Sequence, residues 1–364
     1  MPEKKAMSVS KRRKQKVLSN LQNLGFNVYG QIAQKEFPWV KMPSRSTHNI
    51  FYDQKTRQYI LGDRSVRRSS RNVRHIRPLT QLVWTASFVD ELSRQNKTST
   101  LRDVFYSAQA YEMDFQDQQE SDSLVTDLES ILTCAREDFN VFPEERSAIF
   151  GDLTIEYTIP GYEGRRLNLT SHPDGVMIGP ALTNSEFVEC KANKILAIEK
   201  GGLFTRFIEE RVHERFKAIL VHTAGQAPRA TRGLLRRLNQ ELDLPVYIFC
   251  DADPWGMHIA MVIISGSANA AHLRDLNTPD ARWAGVWASD IVDYELPSDR
   301  LTDLDIKRLY ELQKDPRYDG KLWKKEIETF LRIRKKAEQE AFSRYGLTFI
   351  VDKYLPEKLK AMES

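Results

Sequence analysis

The chain has 364 residues, of which 41% are hydrophobic and 29% are charged, and this composition is typical of a soluble protein large enough for two cores. The net charge is +4, and three scattered cysteines predict a reducing compartment without a zinc knuckle. No apolar run approaches the ~20 residues that cross a bilayer, and the charged N-terminus lacks the apolar region of a secretory signal. We therefore expect a cytoplasmic protein without a membrane partner.

Basic residues are concentrated in two segments near the N-terminus. The first cluster consists of Lys4, Lys5, Lys11, Arg12, Arg13, Lys14 and Lys16, and the second of Arg57, Arg64, Arg67, Arg68, Arg71, Arg74 and Arg77. A block of like charges destabilises a fold unless something neutralises it, so the second cluster predicts contacts with DNA phosphates. The first cluster is equally compatible with phosphate contacts and with a solvated tail.

The first part of the chain is predicted to contain several helices followed by strands. In chain order the patterns indicate a helix over Val17–Phe26, a hairpin over Phe51–Leu61, helices over Leu79–Leu92 and Thr100–Tyr111, a polar loop over Asp117–Ser123, a helix over Ser123–Phe139 and a wing strand over Ile149–Ile159. Thr100 and Asp103 have the spacing of a helix cap. Three short helices followed by strands, with basic flanks, predict a winged helix-turn-helix.

After a stretch rich in Gly, Pro and Asn at 160–179, strand and helix patterns alternate. Strands are predicted over Lys194–Ile198, Ala218–His222, Val246–Cys250 and Ala284–Trp287, and helices over Gly202–Phe216, Ala230–Leu242, Met257–Ile264, Asp303–Leu312 and Leu322–Arg344. Repeated strand-helix units imply a parallel sheet with right-handed crossovers. The last of these helices is rich in Lys and Glu and is predicted to be a solvated packing helix.

Two carboxylates follow the apolar run Val246–Cys250, which is typical of a buried strand. Asp251 and Asp253 are spaced i, i+2, so in extended backbone their side chains point the same way. The C-terminal ends of strands are the edge at which open α/β sheets bind ligands, and hard oxygen ligands favour Mg2+. The alternative interpretation of Asp-Ala-Asp-Pro is a helix-capping turn.

A third carboxylate follows the predicted strand Lys194–Ile198. Glu199 and the two aspartates are expected to meet at one sheet edge, where their charges repel unless a divalent cation lies between them. Glu199 by itself would be interpreted as a solvated loop acid. His222 and His258 flank this edge but are not assigned as ligands, because imidazole suits zinc and transition metals.

Two arginines in a loop leading into a helix, Arg229 and Arg232, are candidate phosphate contacts. The alternative for this pair is a helix surface without a ligand.

Four segments carry a resemblance to a known family. Glu at one strand end and Asp-x-Asp at another resemble a Toprim domain, the metal-binding unit of topoisomerases and primases. The fuller resemblance is to the A subunits of archaeal DNA topoisomerase VI, through Gly225–Arg232 (GQAPRATR), Pro245–Gly256 (PVYIFCDADPWG), Asp290–Asp299 (DIVDYELPSD) and Tyr354–Leu359 (YLPEKL). It covers nearly the whole chain, and the same family contains the meiotic protein that makes programmed double-strand breaks.

The resemblance implies a catalytic tyrosine. The family motif Arg-(Asp/Glu)-x-(Phe/Tyr)-Tyr corresponds to Arg102–Tyr106 in this chain. Tyr106 is then the nucleophile that attacks the DNA backbone to form a 5′-phosphotyrosine, and Arg102 assists by binding phosphate. Without the resemblance, Tyr106 and Tyr111 would both be interpreted as helix-packing aromatics. A phenol has a pKa near ~10, so it needs a base, a cation or a metal to become nucleophilic.

The resemblance also implies the architecture. The expected fold class is α/β plus α+β, with an N-terminal winged-helix (CAP-like) domain and a C-terminal Toprim domain whose parallel sheet is flanked by helices. The expected divisions are a basic, dimer-contacting extension over 1–68, a winged-helix cleavage domain over 69–160 and a Toprim domain with C-terminal helices over 161–364.

The implied partners are double-stranded DNA, a second copy of this chain and an ATPase B subunit, in an A2B2 heterotetramer acting on the nucleoid. Mg2+ would be held by Glu199, Asp251 and Asp253. ATP would be bound by the B subunit, since no G-x-x-x-x-G-K-[ST] motif occurs in this chain. In the family, the tyrosine of one subunit works with the metal site of the other.

The leading expectation is therefore an ATP-dependent type IIB DNA topoisomerase, an isomerase that relaxes and decatenates duplexes. Two alternatives stay open: a transesterase that makes double-strand breaks without strand passage, and a non-catalytic DNA-binding homologue. An Asp-nucleophile phosphatase is disfavoured, because it would place a Thr soon after the aspartates, where this chain has Trp255.

Overall fold

The protein is described by a computed structural model that covers residues 9–143 and 146–363, with side chains from residue 12. Lys4, Lys5 and the side chain of Lys11, which belong to the first basic cluster, lie outside the described residues. Buried apolar side chains form two separate cores, one drawn from residues 17–141 and the other from residues 149–359. The residues around the first core are called the N-terminal unit, and those around the second the C-terminal unit.

The N-terminal unit is mainly helical. Its helices are α1 Val9–Ala33, α2 Val73–Gln95, α3 Leu101–Ala110 and α4 Gln118–Leu132, and its strands are β1 Trp39–Pro43, β2 Ile50–Asp53, β3 Gln58–Leu61, β4 Ser65–Ser69, β5 Ser99–Thr100 and β6 Val141–Phe142. Strands β2 and β3 form the predicted hairpin, and β1 pairs antiparallel with β4. Helices α2 and α4 pack together, with Leu82, Val89 and Leu128 fully buried between them and their neighbours.

Two local predictions in this unit have different outcomes. The predicted cap of α3 is present, since Thr100 accepts from the backbone N–H of Asp103 while the Asp103 carboxylate accepts from the N–H of Thr100. The loop predicted over Asp117–Ser123 is wrong. Asp117 caps α4 by accepting from Glu120 N–H, and the acidic residues that follow suit the positive end of a helix dipole.

The C-terminal unit alternates strands and helices. Its strands are β7 Ala148–Phe150, β8 Leu153–Glu156, β9 Arg166–Asn168, β10 Val176–Met177, β11 Glu186–Cys190, β12 Lys194–Ile198, β13 Ala218–His222, β14 Val246–Phe249, β15 Arg282–Gly285, β16 Asp299–Arg300 and β17 Lys335–Lys336. Its helices are α5 Pro180–Thr183, α6 Gly201–Glu209, α7 Val212–Arg215, α8 Arg229–Leu242, α9 Pro254–Ser265, α10 Ala288–Asp293, α11 Asp303–Lys314, α12 Lys321–Ile333 and α13 Leu355–Glu363.

A six-stranded sheet forms the centre of this unit, in the order β10-β7-β13-β12-β14-β15. The four strands β13, β12, β14 and β15 run parallel, as predicted, while β7 and β10 add an antiparallel edge. None of the described helices is both long and apolar enough to cross a membrane.

The strand predicted over Ile149–Ile159 does not form a wing on the N-terminal helices. Its first part is β7, which pairs with β13, and its second part is β8, which pairs with β9 and β11. Ile149, Phe150 and Leu153 are buried in the second core, because the chain crosses to that core before this segment. The change of core therefore falls between Val141 and Ala148 and not at the predicted position near residue 160.

The predicted helix Leu322–Arg344 is also wrong in its second half. Arg334 takes the left-handed conformation and ends α12, after which Lys335–Lys336 pairs with Asp299–Arg300 and residues 339–345 form a 3-10 helix. In the same way, the predicted helix Gly202–Phe216 is interrupted by Arg211 at a φ of 53°. The first of these breaks brings the segment around Gln339 against the C-terminal edge of the parallel sheet.

Candidate active site

Asp251 and Asp253 lie directly after β14, a strand whose four residues are all buried. Asp253 is the N-cap of α9, and its Oδ1 accepts from the N–H of Gly256 at 2.6 Å. A Cβ at position 256 would collide with the backbone carbonyl oxygen of Asp251, so this turn requires glycine. The capping turn and the pair of carboxylates are therefore one structure and not competing interpretations of the sequence.

Glu199 lies beside this turn because β12 and β14 are neighbours in the parallel sheet. Its backbone N–H donates to the carbonyl of Phe249 at 3.0 Å, and its carboxylate Oε2 accepts from the N–H of Asp251 at 3.0 Å. The three predicted acids thus occur at the same sheet edge, at the ends of two adjacent strands.

Burial and mutual repulsion make this edge costly for negative charge. Burial, with added repulsion from Asp251 and Asp253, raises the pKa of Glu199 to about 7. Burial raises the pKa of Asp251 to about 6 and raises the pKa of Asp253 above its ordinary value. A cation at this edge would offset both the cost of burying the carboxylate charges and their mutual repulsion.

Two contacts of Asp251 were not predicted from the sequence. The Lys200 ammonium lies 3.1 Å from Asp251 Oδ2, and the backbone N–H of Gln339 donates to Asp251 Oδ1 at 3.0 Å. Lys200 could have been noticed as the neighbour of Glu199 in the chain. Gln339 gives no local signal, because it is brought here by a segment 88 residues further along.

The donor atoms fit Mg2+ by their chemistry, since they are carboxylate oxygens whose charges are only partly compensated. The side-chain arrangement does not itself form a coordination sphere. Among the residues that the structure describes, no group of three or more His, Cys, Asp or Glu side chains is placed to hold one ion. The Glu199 carboxylate is directed at a backbone amide, and one oxygen of Asp253 is used by the cap.

The two histidines near this edge are both disfavoured as cations. Burial lowers the pKa of His222, whose ring stacks on Phe204. Burial and the charges of Arg308 and Arg317 lower the pKa of His258 to about 4. Neither histidine belongs to a metal-binding group among the described residues.

Tyr106 and Arg102 lie on α3 in the N-terminal unit. Val104 and Ala108 are fully buried and attach one face of this helix to the first core. Arg102 and Tyr106 are four residues apart and both exposed, so they share the opposite face, and Tyr106 exposes 56% of its surface. Tyr111 is similarly exposed but follows the end of the helix.

Four arginines of the second basic cluster, the cluster that is predicted to contact DNA, have different surroundings. Arg67 is exposed on β4 and stacks over the Trp39 ring at 3.8 Å, and Arg71 and Arg74 are exposed at the start of α2. Arg68 is partly buried and forms an ion pair with Asp127 at 2.5 Å. Asp127 also binds Arg45, so it compensates part of the charge of this region within the chain.

Arg229 and Arg232 point toward the protein and not toward solvent. Arg229 is ion-paired with Glu129 of the N-terminal unit. Arg232 is only 6% exposed, and burial lowers its pKa to about 10. Arg232 therefore presents no free surface to DNA, and Arg229, whose side chain is 21% exposed, is already paired with a carboxylate.

Two protein families match the parts of the chain that contain these two groups of residues. Residues 194–359 match a family described as the Toprim domain of Spo11 and of the topoisomerase 6 A subunit. Residues 77–141 match a family described as "Type IIB DNA topoisomerase". The first match contains all three carboxylates, and the second contains Arg102 and Tyr106.

Curated relatives extend the similarity to nearly the full length. The A subunit of type 2 DNA topoisomerase 6 from Methanothermobacter thermautotrophicus is 46% identical over 97% of this chain and 99% of its own length. Those from Archaeoglobus fulgidus and Methanosarcina acetivorans are each 38% identical, over 92% and 97% of this chain and 94% and 96% of their own lengths. The chain therefore belongs to the family of type IIB DNA topoisomerases that comprises Spo11 and the topoisomerase 6 A subunits.

Proposed function

We propose that this chain is the DNA-cleaving subunit of an ATP-dependent type IIB DNA topoisomerase, which relaxes and decatenates duplex DNA. The observation that carries this proposal is the joint presence of two exposed motif residues on one helix face and three coupled carboxylates at a sheet edge. The matches to both family regions and to the curated relatives support it.

The reaction is a transesterification by the Tyr106 hydroxyl. The phenolic oxygen loses its proton to solvent and attacks a backbone phosphorus, forming a bond to the 5′ phosphate. The bond from phosphorus to the 3′ oxygen breaks, and that oxygen takes up a proton. Arg102 on the same helix face binds the phosphate and compensates the charge of the phenolate and of the pentavalent transition state. Religation is the reverse step and needs no new energy source.

The acidic edge is proposed to hold Mg2+ through Glu199, Asp251 and Asp253. Bound there, the ion would supply charge compensation for the scissile phosphate and its leaving oxygen. Within the protein, the N–H of Gln339 and the ammonium of Lys200 hold Asp251 in place. The capping turn of α9 holds Asp253 in the same way.

The assembly is proposed to be a homodimer joined to an ATPase B subunit in an A2B2 heterotetramer. Tyr106 and the acids belong to different units, which suits a site composed of the tyrosine of one copy and the acids of another. The N-terminal unit is proposed to comprise the dimer-contacting extension and the winged-helix cleavage domain, and the C-terminal unit to contain the Toprim domain. The partner subunit would bind ATP.

The DNA path is proposed to follow the exposed cations of the N-terminal unit, chiefly Arg67, Arg71 and Arg74, on DNA of the nucleoid. Arg68, Arg229 and Arg232 are proposed to act indirectly, by holding this surface and the joint between the units. Binding should weaken steeply as salt rises, because each phosphate contact releases counterions.

The test is covalent capture of DNA after denaturation, with Mg2+ and the B subunit present. Tyr106→Phe should abolish protein-linked 5′ ends while DNA binding persists. Tyr111→Phe is the matched control, because it removes the hydroxyl of a similarly exposed tyrosine and should leave capture intact. Protein-linked 5′ ends in Tyr106→Phe would refute the assignment of the nucleophile.

The same preparation separates topoisomerase activity from break formation. ATP-dependent relaxation of supercoiled DNA should accompany capture in the unmodified protein. Capture without any relaxation, in the presence of an active B subunit, would favour a transesterase that does not pass strands.

A further inference from the structure

A cavity of about 560 Å³ lies between the two units. Its walls come from α1, the turn after α4, α8 and the segment 271–276, and neither Tyr106 nor the three acids of the sheet edge line it. Small-molecule sites typically measure about 300–1,000 Å³ and often lie at domain interfaces. The volume and the position of this cavity are therefore those of a ligand site separate from the cleavage chemistry.

One side of the cavity is built by a buried cluster of charges that joins the units. The Glu129 carboxylate of α4 is 0% exposed and accepts from Arg136 at 3.0 Å, from His272 at 3.2 Å and from Arg229. Burial opposes its charge, but the hydrogen bonds from His272 and Arg136 and the charge of Arg229 hold the pKa of Glu129 well below its usual range. Arg229 and His272 both line the cavity, so this wall is fixed in place.

Next to this cluster, polar groups are buried without a partner among the described residues. Both carboxylate oxygens of Glu137 and the Nε of Arg236 are shielded from solvent and make no hydrogen bond there, and both residues line the cavity. Arg232, beside the lining residue Gly233, leaves Nε and Nη1 unpaired in the same way. Buried polar groups of folded proteins are almost always hydrogen-bonded, so this concentration indicates partners that are not part of the chain.

The lining is rich in cations that are free to bind an anion. Arg13 and Lys16 on α1, Arg236 on α8 and Arg274 line the cavity and have no ion pair within the part of the chain that the structure describes. The acids of the lining are Glu137, Asp138 and Asp275. Asp138 already accepts from the N–H of Ala135, whereas both carboxylate oxygens of Glu137 are buried without a partner among the described residues.

The remaining wall is apolar, with Val17, Leu132, Phe142, Leu234, Leu273 and Leu276. We propose that the cavity binds an organic phosphate of mononucleotide size. Its phosphate would lie among Arg13, Lys16, Arg236 and Arg274, its hydroxyl or amino groups would bond to Glu137, and its body would pack on the apolar wall. Arginine suits this role because its planar guanidinium group can donate two parallel hydrogen bonds to a phosphate group.

The test is binding of AMP to the full chain, measured by calorimetry and by the shift of the thermal unfolding midpoint. Adenosine and inorganic phosphate at the same concentration are the comparison probes. AMP should bind more tightly than either, because only AMP has both a phosphate for the cationic residues and a nucleoside for the apolar wall. Arg236→Gln and Arg274→Gln should each weaken AMP binding by at least about tenfold, the worth of a charge-assisted hydrogen bond.

The matched control is Arg332→Gln, which removes an exposed arginine of α12 outside the cavity and should leave AMP binding unchanged. The unfolding midpoint without ligand shows whether each variant is folded, and either cavity variant suffices if the other fails to fold. A 5′-phosphorylated oligonucleotide that displaces AMP would identify a DNA strand end as the source of the phosphate. Failure to displace it would identify a free nucleotide.

Three results would overturn the proposal. The first is no binding of AMP at millimolar concentration. The second is equal binding of AMP and adenosine. The third is unchanged AMP affinity in folded Arg236→Gln and Arg274→Gln.

Discussion

The two units hold their proposed catalytic residues in opposite ways. In the C-terminal unit, Glu199 and Asp251 lie after strands that are buried at all but one position, and backbone amides fix their carboxylates. In the N-terminal unit, Tyr106 projects from α3 with more than half of its surface exposed. The side chains of the acids are held in place without DNA, whereas Tyr106 is held only through the helix that carries it.

The electrostatic cost of the proposed site falls on the acids of the C-terminal unit. The acids are held at an edge where burial raises the pKa values of Glu199 and Asp251 to about 7 and about 6, so the fold opposes their charge until a cation binds. Tyr106 is exposed, and in the proposed reaction it depends on other groups to become nucleophilic. We propose that the site is complete only when the N-terminal unit of one copy and the C-terminal unit of another meet at DNA.

The largest effect on stability is expected from a substitution in the buried charge cluster around Glu129, which joins the two units. Glu129→Gln would leave Arg136, Arg229 and His272 around a neutral group, and removing one partner of a buried ion cluster costs about 3–5 kcal/mol. Thermal and denaturant unfolding would measure this loss. Glu328→Gln, at an exposed position of α12, is the control and should change stability by less than about 0.5 kcal/mol. A native-like unfolding midpoint in Glu129→Gln would show that the joint does not hold the two units together.

The pH dependence of stability should report on Glu137. Burial, with the charge of Glu129, raises its pKa from 4.5 to about 7. The folded state then binds this proton more tightly than the unfolded state, so the stabilisation is present below pH 4.5 and is lost as pH rises through about 7. Glu137→Gln should remove up to about 3 kcal/mol of this pH dependence in unfolding measurements between pH 4.5 and 7. An unchanged profile would mean that Glu137 is not buried as described.

Gly256 tests whether the backbone fixes the acids. A methyl group at Gly256 has to displace the carbonyl of Asp251, so Gly256→Ala should cost about 1–3 kcal/mol and reduce DNA cleavage. Gly30→Ala is the matched control, because its Cβ meets nothing within 4 Å and alanine favours the helix by about 0.5–1 kcal/mol. The two variants should therefore shift the unfolding midpoint in opposite directions, and a shift in the same direction would contradict the account of the turn.

The smallest effect is expected at the cap of α3. Thr100→Ala removes the side chain that accepts from Asp103 N–H and should cost about 1 kcal/mol. Thr100→Ser keeps the hydroxyl and should restore most of this loss. Equal stability of the two variants, by denaturant unfolding, would show that the cap does not support the helix that carries Tyr106.

The sequence predicted best where a pattern is local. The buried run before Asp251, the Thr100 cap and the hairpin at Phe51–Leu61 each have a short-range cause, and each is present. The carboxylates at the edge of a parallel sheet followed from the alternation of strands and helices. Tyr106 could be singled out only through the family motif, because an exposed tyrosine on a helix has no signal of its own.

The sequence predicted poorly where distant segments decide the outcome. Ile149–Ile159 has the alternation of a wing strand, but its first part pairs with β10 and β13 in the sheet of the second core. Arg229 and Arg232 are arginines of the kind that contact phosphate, yet Arg229 is paired with Glu129 of the other unit and Arg232 is buried. The support that Gln339 gives to Asp251 depends on a chain reversal after Arg334, which helical periodicity does not indicate.

We propose that Tyr106 of one copy works with the acids of another. It is tested most directly by mixing two inactive variants, Tyr106→Phe and Asp251→Asn, with the B subunit, Mg2+ and DNA. A mixed dimer then has one site with both an intact tyrosine and intact acids only if the two come from different copies. Mixing is expected to restore capture of one DNA strand on the Asp251→Asn copy. A mixture as inactive as its parents, with mixed dimers shown to form, would exclude a site shared between copies.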